Sequence, residues 1–238
     1  MANILKSERY YRAKFRLRQL NQSRKHGPVP HALDMRWVSP QNIKKVSNTS
    51  PSLKWRKAGL VESGNWDLSE RLFEEYDLYS AIQQRFEEDI DWEDTYFYNR
   101  VVGQIKDGQT KWGCQTISEF DSRCLDLENL YKSIKENGYI PREKLVENEN
   151  ESASTDEFAA ISDSCLYKYD EIAVDISRNG ELLFVDGRNR LAICKILGIE
   201  SIPVRVVRRH KQWQSRRQSI KETGNAAIHH PDMIDLVS

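Results

Sequence analysis

Cysteine is scarce in this chain, with four in 238 residues. Cys114, Cys124, Cys165 and Cys194 form no C-x-x-C pair, and the five histidines complete no zinc spacing. This argues against a disulfide scaffold or a zinc module and for reduced thiols in a cytoplasmic protein. Net charge is also missing, because 36 Lys and Arg balance 36 Asp and Glu. A bulk polyanion binder carries a large positive excess, so any phosphate binding here must come from local patches. Long apolar runs are absent too. No stretch approaches a membrane span, and Arg, Lys and Gln interrupt the N-terminus where an export signal would need an apolar core. The expectation is a soluble intracellular chain, long enough for one large domain or two small ones.

What is present changes along the chain. Over residues 1–26, Lys6, Arg9, Arg12, Lys14, Arg16, Arg18, Arg24 and Lys25 face the single acid Glu8, with Leu5, Tyr11, Phe15 and Leu20 at roughly helical intervals. A helix is predicted there, ending before Gly27-Pro28-Val29-Pro30. It either meets an anionic surface, membrane or nucleic acid, or packs its thin apolar stripe on the domain; the narrowness of the stripe favours packing. Residues 27–67 read as irregular, broken by Pro28, Pro30, Pro40 and Pro51, with Trp37, Trp55 and Trp66 expected to pin loops to a core, a stacking surface for a base or sugar being the alternative. From Leu68, apolar residues recur at three- and four-residue steps through Ile90, with Ser69 as the predicted N-cap. A helix-like region starts at Ser118. Asp126 is read as capping a clearer helix with Leu127, Leu130, Tyr131 and Ile134 on its apolar face, ended by Gly138. Residues 146–165 form an acidic, small-residue insertion expected as a solvated loop.

The densest signal lies between Ile172 and Arg209. Ile172, Val174 and Ile176 alternate with Ala173, Asp175 and Ser177 as a half-buried strand. Asn179-Gly180 predicts a type I′ hairpin, and Leu182–Val185 is the returning strand. Asp186-Gly187 then turns the chain into a helix, Arg188 to Leu197, and Ile202–Val207 is the next strand. The first N–H groups of a helix lack intrahelical partners and carry the positive end of its dipole. Gly187 permits close approach to that backbone, while Arg188, Asn189 and Arg190 add donors suited to phosphate oxygens. The competing reading is that Arg188 and Arg190 form ion pairs, with Asp186 and Glu171 as partners. Asp186 is open to three roles: holding Mg²⁺, accepting a hydroxyl proton, or capping the helix. Beyond the strand, Arg208, Arg209 and His210 are candidate contacts to an anion or substrate, or else part of a solvated basic segment.

The segment VDGRNRLAICKILGIESIPVRVV, Val185 to Val207, resembles the ParB/sulfiredoxin superfamily, in which a Gly-x-Arg/His-Arg box opens a helix and an Ile-Pro-Val segment follows. LENLYKSIKENGYI, Leu127 to Ile140, resembles the helix preceding that hairpin. The resemblance covers about a third of the chain. It implies an α+β fold: a mixed sheet with packed helices, preceded by a mainly helical N-terminal region. It places a nucleotide-binding domain over 111–210, with the acidic insertion 146–165 inside it; the residues themselves divide off a mainly helical, Trp-rich region over 1–110 and a basic tail over 211–238. It also implies a nucleotide, ATP or CTP with Mg²⁺, whose phosphates meet Gly187, Arg188 and Arg190. Members of the superfamily include CTP-hydrolysing DNA-partition proteins, sulfiredoxins and free-serine kinases. The box here lacks the sulfiredoxin cysteine. No Gln-Pro-Arg sequence and no DNA-reading helix-turn-helix are visible. The kinase-like branch therefore fits best: phosphotransfer to a small-molecule or glycan-type hydroxyl substrate, with Glu119 or Asp121 as the base. The alternative is a nucleotide-gated, DNA-binding or non-catalytic relative.

Overall fold

The computed structural model describes residues 2–149, 166–224 and 230–236, with side chains described from residue 8 and, in the first stretch, as far as residue 147. In chain order the elements are α1 (Ala2–His26), β1 (Met35–Val38), β2 (Ile43–Val46), α2 (Lys54–Lys57), β3 (Leu60–Glu62), α3 (Asp77–Glu87) and α4 (Tyr96–Lys106). There follow α5 (Ile117–Asn137), α6 (Arg142–Glu149), β4 (Ile172–Ile176), β5 (Leu182–Asp186), α7 (Arg188–Ile196), β6 (Ile202–His210) and α8 (Lys211–Thr223). The protein is α+β, with helices packed around one mixed sheet. Most of the acidic insertion, from residue 150 on, lies outside the described residues; its first residues continue α6.

The sheet runs β1-β6-β4-β5-β2, and β3 pairs with the far half of β6. The β4–β5 pair is an antiparallel hairpin, whereas β6 lies parallel to β4. The N-terminal region is mainly helical, as expected, but the reading of residues 27–67 as irregular is corrected here. The stretch read as irregular supplies β1, β2 and β3, which are three or four residues long, too short for alternation to show against the prolines. The sheet is completed by strands from both halves, so the boundary near residue 110 does not separate two sheets.

Alternation along the central strands divides the sheet faces. Ile172, Val174, Ile176, Leu182, Phe184, Val204 and Val206 join the main core with α3, α4, α5 and α7. Ala173, Val185 and Val207 form a small cluster on the other side. α7 has nine residues, too few to hold a helix alone in water, and packing fixes it. Leu191 and Ile193 are fully buried, each worth roughly 2 kcal/mol of burial. That anchoring leaves the polar first turn of α7 fixed in place.

Two sequence readings of local structure change. The hairpin turn is not type I′: Gly180 has φ +94°, but Asn179 stays at negative φ. The Gly180 N–H donates to Ser177 O and the Ser177 N–H to Glu181 O, a type I turn closed by a left-handed glycine. A Cβ at Gly180 would stand 2.5 Å from the Trp213 ring, so glycine is required there twice over. The second change concerns α5, which is a single helix. Thr116 accepts from the Glu119 N–H and Glu119 reaches back to the Thr116 N–H, a capping box that starts the helix ten residues before Asp126. Likewise α3 begins at Asp77, not near Ser69.

Candidate functional site

β5 ends in Asp186, and Gly187 turns the chain into α7 at φ +91°. A Cβ at Gly187 would meet the Ile172 backbone at 3.0 Å. The N-cap of α7 is thus a glycine with no side-chain cap, and its first N–H groups receive nothing from a capping side chain. Asp186 is not the cap. One carboxylate oxygen accepts the Gly187 N–H at 2.8 Å and the other accepts Lys54 Nζ. Lys54 also binds Asp170, so a single ammonium bridges two carboxylates.

This arrangement does not fit Asp186 as a Mg²⁺ ligand. A lysine already neutralises it, and among the described residues no group of three His, Cys, Asp or Glu side chains could hold a metal ion. It also weakens Asp186 as a base. Burial pushes its pKa up, but Lys54, the Gly187 N–H and Arg190 outweigh burial and hold it below the usual carboxylate range. A proton acceptor works best with a pKa near the working pH.

The two box arginines have separate fates. Arg190 turns inward, donating to Tyr139 Oη at 3.2 Å and to Glu171 at 3.3 Å. Glu171 is buried, and it also accepts from the Tyr139 hydroxyl and the Arg142 N–H. The ion-pair reading is therefore the correct one for Arg190. Arg188 has no carboxylate partner within 4 Å among the described residues. Its guanidinium lies 4.9 Å from the Tyr76 ring centre and 5.1 Å from that of Trp112. Asn189, between them, is half-buried.

Trp112 reaches Arg188 from a strained turn. Trp112 and Gly113 both adopt positive φ, and the Lys111–Cys114 backbone bonds close the loop as type I′. A tryptophan in the left-handed region costs roughly 1–2 kcal/mol, and packing on Phe97 helps to hold it there.

Arg188 opens into a recess of about 380 Å³, shared with Arg71, Glu75, Asp77, Tyr96 and Arg100 around Tyr76. Arg71 stacks on Tyr76 at 4.2 Å and, like Arg188, has no ion pair among the described residues. Arg100 is neutralised by Asp77 at 2.5 Å. The recess thus holds three guanidiniums, two of them in no ion pair among the described residues.

The remaining predicted residues are not brought to this recess. Arg208 is buried against Asp175, Glu62 and Thr49, with its guanidinium 3.8 Å from the Trp66 ring centre. Arg209 is paired with buried Asp232. His210 caps α8 through Nδ1, and its Nε2 meets Gly64 O. All three are internal fixtures and not anion contacts; β6 is buried along its whole length, which a basic run conceals in the sequence. Glu119 is spent in the capping box, and Asp121 accepts from the Tyr98 hydroxyl at 2.6 Å. Cys194 is fully buried, and burial pushes its thiol up to about 12, so it is no nucleophile at neutral pH. Of the tryptophans, Trp55 lies under Arg205 and Trp66 under Arg208, as the pinning reading expects, whereas Trp37 is 57% exposed.

Nothing in the sequence marks Arg71, Asp77, Tyr96, Arg100 or Lys54 as site residues. Tyr76 falls within the apolar stripe that runs from Leu68 to Ile90. No local motif links them to residue 188; the sheet and α3 bring them together. Comparison of the chain with models of known families, with curated proteins and with solved structures finds no match.

Proposed function

We propose that this chain binds a nucleoside triphosphate, ATP or CTP with its Mg²⁺, by its phosphates at the start of α7 and transfers the terminal phosphoryl group to a hydroxyl of a small or glycan-type substrate. One observation carries this reading. Arg188 and Arg71, from distant parts of the chain, hold guanidiniums against Tyr76 without carboxylate partners, beside an uncapped helix N-terminus. Arg188 is half-buried and Arg71 exposed; a half-buried cation outside any ion pair is unfavourable unless an anion completes it, and Arg71 adds a second fork at the same rim. Phosphate oxygens match both the guanidinium fork and the helix dipole.

In this reading Gly187 lets the phosphates reach the backbone, and Arg188 and Arg71 neutralise charge as the phosphorus–oxygen bond to the nucleotide breaks. The substrate oxygen takes the phosphoryl group, and its proton passes to Glu75, the recess carboxylate with no ion pair among the described residues. The metal accompanies the phosphates and is not assigned to Asp186.

The test is thermal shift and calorimetry with ATP, CTP, ADP and inorganic phosphate, with and without Mg²⁺. A ligand at a hundred times its Kd adds about 2.7 kcal/mol to stability, a shift of a few degrees. Arg188→Ala is expected to weaken binding roughly ten- to a hundredfold, the value of a charge-assisted hydrogen bond. Absence of binding by the unmodified protein to any of these ligands refutes the reading. Binding without phosphate transfer to any hydroxyl compound leaves a nucleotide-gated module instead.

A further inference from the structure

α1 carries a second arrangement that the α7 recess does not use. Its inner side is tied down. Phe15 is buried, Arg18 donates to Ala58 O, Gln19 to Val29 O, and Gln22 accepts the Val61 N–H. Its outer side presents Tyr10, Leu17 and Leu20, which are 62%, 68% and 52% exposed. At 3.6 residues per turn, these three and Ala13 fall in one sector of about 80°, which exposed Arg24 enters one turn beyond Leu20. Arg9 and Arg16 flank that sector on one side and Lys14 and Lys25 on the other, all exposed.

Beside the stripe lies a recess of about 440 Å³ lined by Arg12, Ala13, Arg16, Gln19 and His31. Arg12 is paired with Glu8, but Arg16 has no acidic partner among the described residues. His31 Nδ1 accepts the Leu33 N–H, which leaves its proton on Nε2. The recess therefore presents donors.

We propose that α1 docks this protein on an anionic membrane surface, with Tyr10, Leu17 and Leu20 entering the headgroup boundary and a lipid phosphate seated between Arg16 and His31. Over residues 9–20 the order basic, apolar, basic across the helix face is that of an interfacial helix. Long basic side chains reach the anionic headgroups while the apolar ones leave water. A nucleic-acid backbone satisfies the arginines and lysines but gives two exposed leucines no apolar partner. No helix among the described residues is long and apolar enough to span a membrane, so the contact is peripheral.

The test is co-sedimentation of the full chain with phosphatidylcholine vesicles, with and without phosphatidylserine. Binding is expected only to the anionic vesicles and is expected to weaken as salt rises. The double variant Leu17→Ser, Leu20→Ser is expected to lower partitioning about tenfold, and Arg16→Ala to lower both partitioning and its salt dependence. Both keep the thermal melt of the unmodified protein, since the altered side chains are exposed. Failure to sediment with anionic vesicles overturns the proposal. So does unchanged binding by the leucine variant. If that variant also retains tight binding to duplex DNA or RNA, the face belongs to nucleic acid. If inorganic phosphate displaces all binding, the recess is a free-anion site only.

Discussion

Arg188 and Arg190 are two residues apart on one helix, yet they sit in opposite electrostatic situations. Arg190 faces the interior, where Glu171 and the Tyr139 hydroxyl meet it. Arg188 faces a recess, held by two aromatic rings and by no counter-ion among the described residues. The same division runs through the molecule. Arg208 and Arg209 are completed by carboxylates inside the fold, whereas Arg71 is not. Charges completed internally specify the structure; charges left open are available to a ligand. A motif written in residue types cannot distinguish them, because the distinction depends on which way each side chain turns on the helix.

The strongest way to break this comparison is to exchange the two arginines' fates by mutation. Arg190→Ala leaves Glu171 buried without its cation, a change that typically costs about 3–5 kcal/mol. Urea unfolding is expected to show that loss. Arg188→Ala is expected to shift stability by about 0.5 kcal/mol or less, as substitutions away from internal networks do. Equal destabilisation by both variants contradicts the division.

The sequence made the second half of the sheet legible because its signals are local. β4 and β5, their turn position, the start of α7 and β6 all follow from alternation, Asn-Gly and Asp-Gly. β1 and β2 were hidden, because strands of four residues among prolines carry no periodic signal. The site was half legible. Gly187 and Arg188 stand out, but Arg71 and Tyr76 enter only because the chain before α3 folds back across the start of α7. Lys54 comes from α2, likewise far in sequence, and its bridge to Asp186 argues against the metal and base roles that the isolated motif allowed.

A pH titration sharpens the contrast from the acidic side. Burial alone would raise the Asp232 pKa, but Arg209 and Arg217, with the Trp213 N–H, hold it down to about 2. A carboxylate whose folded pKa lies below its unfolded value stabilises the fold above the unfolded value, and that stability drains as pH falls through the folded one. The shift corresponds to about 2 kcal/mol. Urea midpoints are expected to hold above about pH 5 and to fall progressively toward pH 2. Asp232→Asn is expected to be less stable at neutral pH and to lose much of that slope. An unchanged slope in the variant means other carboxylates dominate the acid limb.

The smallest expected effect separates a structural carboxylate from a catalytic one. Glu119 accepts the Gln115 and Thr116 N–H groups, and those bonds hold its pKa below the usual carboxylate range. Glutamine serves equally at the third position of a capping box. Glu119→Gln should therefore leave both the melt and any phosphotransfer rate unchanged. Thr116→Ala, which removes the other half of the box, should cost about 1 kcal/mol and leave nucleotide affinity intact. If Glu119→Gln keeps its stability but loses turnover, Glu119 is the base and not merely a cap. The division between internally completed and open charges then fails at that residue, because a group bound by its own backbone would also be reaching the substrate.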